Sequence, residues 1–154
     1  YKRQGLSEEE EQIILLSSWL HCSGYIISPT RSKQHSAEIA RKYLYAYGYE
    51  MDFVDQVQNT ILSLQYPRKP QNILEKILCD ATLRNLSTTE FFKRSLDLRK
   101  EWELNCFAIY DTLSWYENTL EFLNKHVYFT EYAQENWKTE NNKELLEDKI
   151  FNLT

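Results

Sequence analysis

The chain has 154 residues, of which 42% are hydrophobic and 14% aromatic, with 18 basic against 23 acidic side chains and a net charge of −5. That length and composition support one domain with a real core and exclude a disordered chain. The acidic balance argues against non-specific nucleic-acid binding, which needs a basic surface.

Only three Gly and three Pro occur, which favours long helices over a turn-rich β-sandwich. Three cysteines form no small-domain pattern and read as reduced thiols of a cytoplasmic protein. No apolar stretch approaches the length of a membrane span, and no signal peptide is visible. The chain opens on Tyr1 rather than Met, so further sequence upstream is expected.

Ser7 and Glu10 form a capping box, and Glu8, Glu9 and Glu11 suit the positive end of a helix. Ile13, Ile14, Leu15, Leu16, Trp19 and Leu20 cover a wide arc, which predicts a helix central to the core, ending near His21-Cys22 with Gly24 as a stop. After a loop with Pro29, a second helix is predicted from Ser32 to Tyr47, closed by Gly48. A third runs from Met51 to Gln65 through Val54, Val57, Ile61 and Leu64.

Pro67 and Pro70 break the helical pattern. Asn72 and Glu75 then open a helix on which Ile73, Ile77, Asp80 and Arg84 share a stripe. A carboxylate on a core-facing stripe needs a cation, hydrogen bonds or a metal. Ser87 and Glu90 predict the next helix, with Phe91, Phe92, Leu96 and Trp102. Asp111 or Thr112 predicts another, through Trp115, Leu120 and Leu123. Thr130 opens the last, which turns polar after about residue 138 and is expected to be exposed or frayed. The whole reads as one all-α domain, residues 1–154, of about seven helices.

Four segments, in this order, carry a resemblance. They are Trp19-Leu20-His21-Cys22-Ser23-Gly24-Tyr25, His35-Ser36-Ala37-Glu38-Ile39-Ala40, Pro67-Arg68-Lys69-Pro70-Gln71-Asn72 and Ile77-Leu78-Cys79-Asp80-Ala81-Thr82-Leu83. Phe91-Phe92 and Leu98-Arg99-Lys100-Glu101 extend the match. The set resembles the HD-domain metal-dependent phosphohydrolases, most closely the small bacterial members, from about Ser7 to Phe129. The resemblance implies a helical HD-domain-like bundle. It also implies phosphoester hydrolysis with one or two divalent ions (Mn, Fe, Mg or Zn) that activate water and neutralise phosphate charge.

Carried over by position, His21 matches the His of the His-Asp doublet, Asp80 the distant metal-ligating Asp, and His35 a further site histidine. Cys22 stands where the doublet's Asp is expected. A thiol is softer, neutral until deprotonated, and cannot bridge two hard ions as a carboxylate does. No histidine precedes His21, so the family's early-helix ligand is absent from this sequence. Ser36, Leu64 and Thr82 stand where relatives show Glu, Thr and a second acid.

Alternatives stay open at each position. His21 and Asp80 are metal ligands or a directly hydrogen-bonded pair. Cys22 is a zinc thiolate or a small buried thiol. His35 faces a phosphate or sits half-exposed in a first helical turn. Cys79 and Cys106 read as structural, and His126 as a surface or capping residue. Among Arg68, Lys69, Arg84, Lys93, Arg94 and Arg99, phosphate contacts are sought first at Arg84 and Arg68, Arg84 having Asp80 as its other candidate partner. The expected function is an HD-like domain with a degenerate metal site, catalytically impaired and acting by binding or regulation. The alternative is an active phosphohydrolase on a nucleotide or other phosphoester, with a ligand supplied upstream of Tyr1. Expected partners are a small phosphorylated ligand, a second copy or an attached catalytic domain, with no nucleic acid and no membrane.

Overall fold

A computed structural model describes residues 5–105 and 108–154; Cys106 lies outside them. The protein is all-α. Eight α-helices and two short 3-10 helices appear among the described residues, with no strand. Two compact units divide the chain, one ending at Ala81 and the other spanning Thr82–Thr154.

In the first unit, α1 (Glu8–Leu20) starts at the predicted capping box. The Ser7 backbone N–H donates to Glu10 Oε2 at 2.8 Å, and the Glu10 N–H donates to Ser7 Oγ. Its role differs from the expectation. Ile13, Ile14 and Ser17 are buried, but Leu15 is exposed and Trp19 is 82% exposed. The face of α1 with Ile13, Ile14 and Ser17 packs on α2 (Ser32–Ala46) and α3 (Met51–Leu62). Ser17 on that face donates to Val57 O at 3.5 Å, a close approach that a larger side chain would prevent. Apolar content alone overstated how much of the helix the unit could cover.

Helix α2 buries Ser36, Ala37, Ala40 and Leu44 and packs on α3 through Val54, Val57 and Ile61. It ends at the predicted glycine. Gly48 has φ +80°, its N–H donates to Tyr45 O, and the Tyr49 N–H reaches back to Leu44 O. This paired closure needs a left-handed residue. Gly24 works differently. It lies in the 3-10 helix Ser23–Ile26, past the end of α1, and an added Cβ would stand 2.1 Å from Ser32 O and 2.4 Å from Ser36 N. It is required for space rather than as a helix stop.

Helix α4 (Ile73–Thr82) buries Leu74, Glu75, Leu78, Cys79 and Asp80, while Ile73 and Ile77 are only part-buried. The core face is therefore rotated from the predicted stripe, with Asp80 still on it, and Arg84 falls beyond the helix.

In the second unit, Arg84–Ser87 forms a 3-10 helix and α5 begins at Phe91, not Ser87. The Ser87 hydroxyl is engaged locally, accepting from Arg84 Nη1 at 2.7 Å and donating to Arg84 O at 3.1 Å, and the N-cap position of α5 falls to Glu90. Helix α5 (Phe91–Leu104), α6 (Thr112–Lys125, capped by Asp111), α7 (Glu131–Asn136, capped by Thr130) and α8 (Glu140–Phe151) follow. Leu86, Phe91, Leu123 and Leu146 form the core. The polar C-terminal stretch is thus an anchored helix, not a frayed end. Leu146 is fully buried, and Asn142 Nδ2 donates to Leu86 O at 2.9 Å and Thr88 O at 3.0 Å. One apolar and one amide anchor hold twelve residues, most of whose other side chains are exposed.

Candidate functional site

The turn between α1 and α2 is fastened by Ser36. Its Oγ donates to His21 O at 2.9 Å and accepts from the Gly24 N–H at 2.8 Å. This clamp fixes His21 at the end of α1. The His21 ring is half-buried, and its Nδ1 pairs with Ser18 O at 2.7 Å. A carbonyl accepts only, so Nδ1 carries the proton and Nε2 is left with its lone pair in the neutral ring. Burial pushes the imidazole below its ordinary value. The Ser18 carbonyl opposes that, while Lys33 and Arg68 add to it.

Lys33, in the first turn of α2, bends back onto the same turn. Its Nζ donates to His21 O at 3.1 Å and lies 5.2 Å from the Tyr25 ring centroid. Burial lowers its pKa; Cys22 opposes the shift and Arg68 adds to it. Arg68 arrives from the proline-bracketed segment before α4. It is half-buried and donates from Nη1 to Cys79 O at 2.8 Å. Burial lowers its pKa as well, opposed by the nearby Cys79 and Asp80. Asp80 itself is only 2% exposed.

Arg68 is the common electrostatic neighbour of His21, Lys33 and Asp80. The chain thus brings His21, Cys22, Lys33, Arg68 and Asp80 to one region of the first unit. The hydrogen bond of the His21 ring goes to Ser18 O. Cys22 is exposed, whereas Cys79 is buried against Ser63, its thiol pushed up chiefly by that burial. Neither is in a disulfide. His35 is half-buried in the first turn of α2, its Nδ1 3.5 Å from Glu38 Oε2 of the same helix.

Other cations have local duties. Arg84 belongs to the second unit, where its guanidinium contacts Ser87 and lies 4.9 Å from the Trp137 ring centroid. Arg99 donates to Glu103 Oε1, Tyr110 O and Thr112 Oγ1. His126 ends α6, stacked on Phe122 and edge-on to Tyr128.

The donor set fits a divalent ion poorly. Among the described residues, no three His, Cys, Asp or Glu side chains gather closely enough to hold one. Lys33, whose Nζ bonds the His21 carbonyl, and Arg68, which acts on the ring electrostatically, are cations that would repel it. Lys33 was not singled out in the sequence. The available signal was a lysine in the first turn of a helix with no acidic residue there, where the helix dipole disfavours positive charge.

No family model, curated protein or solved structure matches the chain. No helix among the described residues is long and apolar enough to cross a membrane.

Proposed function

We propose that the first unit is a degenerate HD-domain-like module that binds a small phosphorylated ligand without hydrolysing it. The observation that carries this reading is the replacement of metal-ligand chemistry by fixed cations. Where a phosphohydrolase of this kind needs several anionic or imidazole donors around an ion, this chain supplies His21 and Asp80 with Lys33 and Arg68 beside them. Loss of a charged ligand weakens the hold on metal and the activation of water together. A guanidinium and an ammonium can still neutralise phosphate charge.

The test is metal content together with turnover. Protein purified without chelator is expected to carry no stoichiometric Mn, Fe or Zn, and to leave phosphomonoesters and cyclic phosphodiesters intact with added Mn²⁺. Cys22→Asp restores one hard ligand and is expected to raise Mn²⁺ affinity. A stoichiometric metal in the unaltered protein, with turnover abolished by Asp80→Asn, would make the protein an enzyme and end this reading.

A further inference from the structure

The end of the first unit where α1 stops and α2 starts displays large apolar side chains. Trp19, in the last turn of α1, is 82% exposed; Ile26 is 91% and Ile27 60% exposed, with Tyr25 beside them. Gly24 explains the display. Its backbone stands so close to Ser32 and Ser36 that a Cβ has no room, and its N–H is held by Ser36 Oγ. The inward position of the 3-10 helix is thus taken by a residue without a side chain. The Ile27 and Ser28 N–H groups both close onto Gly24 O, so the bulky residues that follow Gly24 are turned to solvent. Single exposed hydrophobics are ordinary, whereas several side by side mark a surface that meets something.

Charge decides between the occupants. No Asp or Glu occurs from Gln12 to Ala37, a run of 26 residues and the longest of its kind in a chain with 23 acids. The fixed charges of that run are Arg31 and Lys33, and Arg31 is exposed at the N-cap position of α2. A second copy docked through the same turn would set like charges against each other, which disfavours a self-complementary dimer. An anionic lipid surface offers both halves of the match. Tryptophan suits the headgroup boundary, isoleucine the acyl chains, and arginine extends its stem over apolar surface while its head meets lipid charge.

We propose that the α1–α2 turn is a peripheral docking surface for an anionic lipid bilayer, with Trp19, Ile26 and Ile27 entering the boundary between headgroups and acyl chains and Arg31 facing the lipid charges. The expectation of no membrane partner rested on the length of a span, and surface attachment needs no helix long enough to cross. The proposal stands independently of the ligand reading above.

The experiment is flotation of the full chain with vesicles of phosphatidylcholine alone and of phosphatidylcholine mixed with phosphatidylserine. Binding to the mixed vesicles is expected, weaker with phosphatidylcholine alone and falling as salt rises. Arg31→Gln is expected to weaken it ~5-fold, the effect of one basic residue near an anionic surface. Ile26→Gln combined with Ile27→Gln is expected to weaken it at least ~10-fold. Both isoleucines are exposed, so the urea midpoint of the double variant should match that of the unaltered protein. The chain has four tryptophans, and mixed vesicles are expected to shift their emission to the blue, a shift that Trp19→Phe largely removes. No flotation with the mixed vesicles overturns the proposal, as does equal binding to both compositions. Binding that the isoleucine variant leaves intact, or a blue shift that survives Trp19→Phe, overturns it by placing the contact elsewhere. Self-association or polyglutamate binding lost in the isoleucine variant, without flotation, overturns it in favour of a second copy or an acidic protein.

Discussion

Two cation sites in the first unit are built on opposite terms. On the α2–α3 flank, Arg41 Nη1 donates to Asp55 Oδ1 at 3.1 Å and to Gln58 Oε1 at 2.8 Å, and the guanidinium lies over Tyr45. Gln58 in turn donates to Ala37 O, so the group ties two helices together. Every partner comes from the chain itself. Some 8 residues earlier by sequence, Lys33 is part-buried and is met by a carbonyl, a ring, the Cys22 thiol and another cation, with no carboxylate within ion-pair distance among the described residues. A cation paired with a carboxylate of its own chain serves the fold, whereas a part-buried one with no carboxylate partner adds little to stability.

The comparison depends on the turn that holds Lys33 where it is, and Gly24→Ala breaks that turn. The new methyl would meet backbone atoms of Ser32 and Ser36, which cannot swing aside like a side chain. A loss of about 3 kcal/mol in urea unfolding is expected, at the upper end for overpacking. A loss below about 1 kcal/mol would show that α2 can shift outward, and with it Lys33.

Much of this architecture could be read in the amino-acid order because it rests on local rules. The Ser7 and Asp111 caps and the Gly48 closure each involve residues a few positions apart. What could not be read depends on which neighbour arrives. Trp19 lies off the face of α1 that packs on α2 and α3, and the anchoring of α8 follows from Asn142 reaching carbonyls more than fifty residues away. Asp80 is legible as a buried acid because its neighbours are apolar. Lys33 is not, because a lysine in a polar stretch resembles any solvated charge until Arg68 and the His21 carbonyl are placed beside it.

The contrast between the two cations sharpens in a paired measurement. Arg41→Met is expected to lower stability by less than about 1 kcal/mol, because Arg41 and Asp55 are each nearly half exposed and solvent screens the pair. Lys33→Gln is expected to leave stability unchanged or raise it, since the His21 carbonyl keeps its bond from Ser36 Oγ while a part-buried charge with no carboxylate partner is removed. Urea midpoints at constant m-value decide this. A Lys33→Gln loss larger than that of Arg41→Met would mean that Lys33 is a fold residue after all.

The smallest effect expected is one of pH. The folded state holds His21 below its ordinary 6.5, through burial and then the two cations. Below pH ~6.5 the unfolded chain takes up a proton at this ring that the folded chain refuses, so protonation favours unfolding. Stability from this group is therefore complete above that window and declines as the pH falls through 6.5, levelling once the folded ring also protonates. His21→Gln, which cannot titrate, is expected to flatten this part of the stability profile relative to the unaltered protein. A wild-type profile that runs parallel to that of His21→Gln through this window would mean that the folded protein does not hold the ring below its ordinary value.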